Sequence, residues 1–348
     1  MKIENRLKKL RQRLAEKGVE AILISQPENR HYLSGFDGSF GFLLISQQTK
    51  TLATDFRYLE QAKRQAPDYK LFRISGDVEN WLPELTDGLN LRQLGFEADH
   101  VSFAIYRRLS NVQDKLVAVD MLVESLRAVK EPGEIELITE AAAISDAVID
   151  AVTIQAGMTE QEVAWELEKS LHDRGSQTLP FDIIVASGPN AALPHASPSQ
   201  REIQDGEPVV IDIGARVQGY GSDLSRTICL GKADDTFKRV YDTVLGAQLA
   251  AIAGITAGIA AKQADALARA PIEQAGYGDG FGHGLGHGLG LESHEQPFLA
   301  PGSQDNLVDG MVFTIEPGIY LSGWGGVRIE DTVVMENGKI RLLSRARK

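Results

Sequence analysis

The sequence predicts an α+β protein in two parts, on three observations. Its 348 residues exceed one compact core, since domains run to roughly 100–200 residues. The first part alternates short strand-like runs with helical stretches, the pattern of a small α/β unit. The second opens on two helices and then turns to strands that carry carboxylates where apolar residues belong.

In order, Ile3, Leu7, Leu10 and Leu14 recur at helical spacing, giving an amphipathic first helix closed by Gly18. Strands are expected over Ala21–Ser25, Phe42–Ser46, Thr51–Thr54, Lys70–Ile74 and Leu94–Glu97, with helices at Tyr58–Ala66 and Glu79–Leu85. His31 and His100 are isolated there and form no catalytic cluster. The boundary falls in Glu124–Pro132, giving a first domain of residues 1–126 and a second of 127–348. Pro132 sits in the first turn of a long helix, where its missing N–H costs little. Ile135, Ile138, Ala142, Ser145, Ile149 and Val152 form its expected buried stripe. Thr159 and Glu162 make a capping-box pattern ahead of Val163, Leu167 and Leu171.

Composition excludes several classes. With 43% hydrophobic and 24% charged residues the chain reads as an ordinary soluble globular protein. A net charge of −12 disfavours nucleic acid and anionic membranes as partners. Cys229 is the single cysteine, which rules out an intrachain disulfide and suits a reducing, cytoplasmic setting. It lies in an apolar strand pattern and reads as core packing rather than as a nucleophile. No signal peptide is visible, and the uncharged run Thr243–Ala261, rich in Ala and Gly, reads as a buried soluble helix.

The chemistry lies in the second part. Asp212 interrupts the strand pattern of Val209, Ile211 and Ile213, and a carboxylate buried there needs an Arg, backbone donors or a metal ion. Asp223 follows eleven residues later. Phe181–Gly188 reads as a strand running into a turn, and His195 follows Pro194 in a loop suited to the mouth of a site. Phe281–Gly290 reads FGHGLGHGLG, too rich in glycine for a helix, so His283 and His287 are not a same-face helical metal pair. Extended, they would stand ~13 Å apart, so one is a ligand and the other a neighbour. Glu316 shares a strand face with Thr314, and Glu330 shares one with Arg328.

Any one of these acids could pair with an arginine. Several together on successive strands are more economically neutralised by one site holding two divalent cations. Four carboxylates and one imidazole suit Mn²⁺, Co²⁺, Fe²⁺ or Zn²⁺. Two such ions would lower the pKa of a bridging water and clamp a tetrahedral intermediate, which is hydrolysis.

The segments VVIDIGA, GSDLSRT, HGLGHGLGLESHE, TIEPGIY and VRIEDT resemble the pita-bread metallopeptidases, the family of aminopeptidase P, prolidase and methionine aminopeptidase. The resemblance covers residues from about Arg127 onward, and the first part resembles the creatinase-type N-terminal domain. It implies a curved antiparallel sheet covered by helices behind a smaller α/β domain. It implies that Asp212 chelates one metal, that His287 and Glu316 bind the other, and that Asp223 and Glu330 bridge, with Mn²⁺ or Co²⁺ favoured. Glu316 would also accept the proton of the attacking water. His195 and His294 would hydrogen-bond substrate and oxyanion, His283 would lie beside the site, and Phe181, Tyr320 and Arg328 would wall it. Family likeness further implies a homodimer and peptide substrates with proline second. Dipeptide-specific prolidases resemble one another in an arginine at the position of Phe298, so its absence here favours an Xaa-Pro aminopeptidase over an Xaa-Pro dipeptidase. A metal-free creatinase-like amidinohydrolase and a non-catalytic binding module are the remoter alternatives.

Overall fold

The structure, a computed structural model, describes residues 3–89 and 91–348. The chain divides into one compact unit ending at Arg127 and a second beginning at Ala128.

In the first unit, helix Ile3–Glu16 buries Leu7, Leu10 and Leu14, and Gly18 adopts φ +69° just beyond its end. Glycine alone enters that left-handed region without strain. The sheet has six strands in the order Lys70–Arg73, Lys50–Thr54, Phe42–Ser46, Ala21–Ile24, Leu94–Glu97 and Leu116–Val119. The two central pairings are antiparallel and the outer ones parallel, because helical segments intervene wherever the chain must cross over. Helices Pro27–Ser34 and Phe103–Ser110 and strand Leu116–Val119 were not expected from the sequence. The first is eight residues long and buries Asn29, Arg30 and Ser34 beside Tyr32 and Leu33, and the second buries Leu109 alone, so neither shows a repeating apolar stripe.

The second unit opens on helix Pro132–Ala151, whose buried face is Glu134, Leu137, Ile138, Ala141, Ala142, Ser145 and Val148. That corrects the expected stripe, since Ile135, Ile149 and Val152 are only half-buried. The buried face also carries polar contacts. Glu134 accepts a hydrogen bond from Tyr220 at 2.8 Å, and the Ser145 and Ser222 hydroxyls meet at 2.9 Å. Helix Glu160–Asp173 has the expected capping box and buries Val163, Leu167 and Leu171.

Strands Ile184–Ser187, Pro208–Ile213 and Leu224–Cys229 form an antiparallel sheet with Pro208–Ile213 in the middle. A second antiparallel sheet runs Glu295–Leu299, Gly286–Gly288, Val312–Ile315, Asp331–Glu336, Lys339–Leu342. Gly318–Leu321 and Gly325–Arg328 form a hairpin beside them. Helices Asp235–Gly254 and Ala261–Gln274 bury Val240, Val244, Ala264 and Ala268 with Phe313 and Ile315 in one apolar cluster. Cys229 packs at its edge. Among the described residues no helix is long and apolar enough to cross a membrane.

Candidate metal centre

The two sheets bring five acidic and imidazole side chains to one cavity of about 490 Å³. Neighbouring strands pin the backbone of each. Asp212 lies opposite Ser225 on one side and Ile184 on the other. Asp223 precedes its strand, and its carbonyl accepts from the Thr332 hydroxyl at 2.7 Å. Glu330 donates its N–H to the Ser225 carbonyl at 3.0 Å, and Glu316 donates its N–H to the Leu285 carbonyl at 2.8 Å. The Thr314 hydroxyl accepts from the His287 N–H at 3.0 Å and donates to Glu316 Oε1 at 3.1 Å. In strand Gly286–Gly288 the flanking glycines admit close neighbours. A Cβ on Gly286 would stand 2.0 Å from the Thr314 carbonyl oxygen, and one on Gly288 2.1 Å from that of Gln296.

Asp223, His287 and Glu330 each present a donor atom within 4.8 Å of the other two. His287 Nε2 lies 3.2 Å from Glu316 Oε1 and 3.7 Å from Asp223 Oδ2. Its Nδ1 donates to the Gly288 carbonyl at 3.1 Å, which orients Nε2 toward the carboxylates, and without a metal Nε2 carries a second proton shared with Glu316. Metal-binding histidines are oriented in this way. Asp212 takes a hydrogen bond from Arg328 Nη2 on Oδ2 at 2.7 Å. Its Oδ1 and Glu330 Oε1 are buried with no partner.

The electrostatics match a site built for cations. Burial and then the Glu330 charge hold the Asp223 carboxyl well above the usual range. Burial and then the Glu316 and Asp212 charges do the same to Glu330. Burial raises Asp212 against the pull of Arg328. For Glu316, burial pushes upward, but the His287 hydrogen bond and the His287, His283 and Arg328 charges outweigh it and hold the group at about 2. Clustered acids with two orphaned buried oxygens and an oriented imidazole fit a divalent-cation centre.

The remaining predicted residues line the same cavity. His294 stacks on His287 with ring centroids 4.0 Å apart, and burial and then His287 lower its pKa to about 4. His195 is exposed on a turn at the mouth, and Phe181 is half-buried there. His283 Nδ1 lies 2.8 Å from the Gly284 carbonyl and Nε2 3.1 Å from the Tyr320 hydroxyl, so both ring nitrogens are engaged. Tyr320 also accepts from Arg328 Nη1 at 3.0 Å. Arg328 is committed to protein groups rather than free for a ligand, because it also holds the Ser225 hydroxyl at 2.8 Å and the Pro194 carbonyl at 3.1 Å.

Residues 136–337 match the Metallopeptidase family M24, and residues 6–129 match the Creatinase/Prolidase N-terminal domain. The chain belongs to metallopeptidase family M24. It is 37% identical over 347 residues to an Xaa-Pro dipeptidase of Pyrococcus furiosus, covering 98% of each chain. An Xaa-Pro dipeptidase structure from Bacillus anthracis superposes with TM-score 0.97 at 39% identity, covering 100% of this chain and 99% of that one. An X-Pro aminopeptidase structure from Thermotoga maritima superposes with TM-score 0.90 at 38% identity, covering 98% of both. This M24 chain is therefore a metallo-exopeptidase, a pita-bread unit joined to a creatinase-type N-terminal domain.

Sequence reading left Tyr220 and Ser222 without a role. In this M24 fold they hold the turn between Asp212 and Asp223. Ser222 Oγ accepts from the Ala215 N–H at 3.0 Å and meets Ser145, while Tyr220 reaches Glu134. Ser222→Ala removes one buried hydroxyl and leaves the Ala215 N–H unsatisfied, so it should cost about 1–3 kcal/mol. Denaturant unfolding checks this, and an unchanged midpoint would show the hydroxyl to be idle.

Proposed function

We propose that this chain is an Xaa-Pro dipeptidase that uses two divalent cations, Mn²⁺ or Co²⁺ first among them. Asp212, Asp223, His287, Glu316 and Glu330 would hold them. The observation that carries the metal-dependent reading is the buried acid cluster with unpartnered oxygens on Asp212 and Glu330. The bound cations supply Lewis acidity and a water of lowered pKa.

The side chains do the rest. Glu316, kept ionised, accepts the proton of the attacking water and passes it to the leaving proline nitrogen. His294, kept neutral by burial, can hydrogen-bond the developing oxyanion from one ring nitrogen, a contact worth roughly 100–1000-fold in rate elsewhere. His195, exposed at the mouth, is placed to meet the substrate backbone. His283 and Tyr320 brace each other and Arg328, and Phe181 contributes apolar wall.

The dipeptide preference revises the expectation drawn from Phe298. That residue lines the cavity and is 43% exposed, so no cation stands at its position. A single missing cation weighs less than full-length likeness to two proteins named Xaa-Pro dipeptidases. Aminopeptidase action stays as the second reading, favoured by Phe298 itself.

The deciding assay compares Xaa-Pro dipeptides with Xaa-Pro-Yaa tripeptides on enzyme loaded with Mn²⁺ or Co²⁺. Dipeptides are expected to be hydrolysed faster. Efficient cleavage of tripeptides alone would replace this reading with the aminopeptidase one, and cleavage of neither would end both. A homodimer in the cytoplasm completes the proposal, and a monomer in sedimentation would overturn the first half of it.

A further inference from the structure

Strand pairing does not account for the order of residues 281–285. The stretch Phe281–Gly290 carries five glycines, and glycine loses more conformational freedom on folding than any other residue. Only Gly286–Gly288 joins a sheet. Two charged side chains on helix Ala261–Gln274 engage the part before it. Arg269 Nη1 donates to the Phe281 carbonyl at 2.8 Å and Nη2 donates to the His283 carbonyl at 2.6 Å. Asp265 Oδ1 accepts from the Leu285 N–H at 3.0 Å. Asp265 and Arg269 are themselves paired, Nε to Oδ2 at 2.7 Å and Nη2 to Oδ1 at 2.9 Å. The guanidinium carbon also lies 4.2 Å from the centroid of the Phe281 ring.

Residues 281, 283 and 285 are thus gripped in succession by one pair spaced four apart on a helix. We infer that Asp265 and Arg269 are positioning residues, a latch that sets the glycine-rich segment and through it His283, His287 and Glu316. Continuity supports the reach to Glu316, because the Leu285 carbonyl, next to the gripped N–H, accepts the Glu316 N–H at 2.8 Å. Neither latch residue lines the cavity, so they act through the segment and not on substrate. Arginine is required because one planar fork must serve a carboxylate and two carbonyls together, which a lysine ammonium does less well. Asp265 is 1% exposed, consistent with a fixed anchor.

The effect on turnover rests on the proposed hydrolase reading, but the effect on local order does not. The test follows amide hydrogen exchange by mass spectrometry across residues 281–289 in wild type, Arg269→Met, Arg269→Lys and Asp265→Asn, alongside kcat and KM on an Xaa-Pro dipeptide with Mn²⁺. Arg269→Met is expected to speed exchange in that segment by roughly 10-fold or more, two hydrogen bonds being lost, with the rest of the second unit unchanged. Misplacing groups by about 1 Å can cost ~100-fold in rate, so kcat should fall toward that while KM moves little. Arg269→Lys should fall between. If Arg269→Met does not fold, Arg269→Lys carries the same comparison. Unchanged exchange at 281–289, or a rise spread evenly over the unit, overturns the latch. A wild type inert on every Xaa-Pro peptide would sink the functional reading, and the exchange data would still decide the latch.

Discussion

Asp223→Asn will reduce turnover by more than ~100-fold, will not be rescued by added Mn²⁺ or Co²⁺, and will make the metal-free protein more stable. The rate estimate is a lower bound, because even outer-sphere partners of a metal site cost roughly 10–100-fold when removed. The gain in stability follows from the same carboxylate. Without cations Asp223 is buried beside Glu330, Asp212 and Glu316, and its folded-state pKa is raised, first by burial and then by those charges. Glu330 is raised in the same way. A group with a raised folded-state pKa binds more protons folded than unfolded, so stability is greatest below the ordinary carboxylate range and falls as pH rises through the raised value. Denaturant titrations of chelated protein at several pH values should show that decline in the wild type and a shallower one in the variant. A variant less stable than the wild type at every pH would contradict the clash.

Arg328→Met will destabilise the fold by about 3–5 kcal/mol, the usual consequence of stripping one partner from a buried ion pair. Arg328 is 3% exposed, and its guanidinium serves Asp212, Ser225, Tyr320 and the Pro194 carbonyl at once. Loss of the cation leaves Asp212 unsupported and frees Tyr320 and His283 to shift, so turnover should fall as well. Asp212→Asn on the Arg328→Met background should recover part of the stability but none of the turnover. Equal stability of wild type and Arg328→Met would show that Arg328 does not support Asp212.

Arg328 also shows where sequence reading stops. The acids were legible because a carboxylate in an apolar strand is costly whatever the fold, and Asp212, Asp223, Glu316 and Glu330 do converge with His287 on one cavity. Arg328 was expected to wall the site. It lies on the cavity, but the pattern could not show that its fork closes on Asp212, more than a hundred residues away. Alternation placed it on one face with Glu330, whereas strand Gly325–Arg328 ends before Glu330, so the two are not neighbours on one strand. The two-part α+β architecture was legible from periodicity, while helices with polar buried faces, such as Pro27–Ser34, were not. Asp265 and Arg269 drew no reading from the sequence, because nothing in their own helix marks what lies against it. Phe298 stands at the limit for a different reason, since the absence of one charge identifies no substrate.

The Ser225 hydroxyl has a direction. It accepts from Arg328 Nε at 2.8 Å, so its single proton points to Glu330 Oε2, also at 2.8 Å. Oε2 thereby has a partner, while Oε1 is buried with none. Arg328 imposes the same choice on Asp212 by occupying Oδ2 and leaving Oδ1. One guanidinium, which cannot lose its charge, thus claims one oxygen of Asp212 and, through Ser225, one of Glu330, leaving the second oxygen of each without a protein partner.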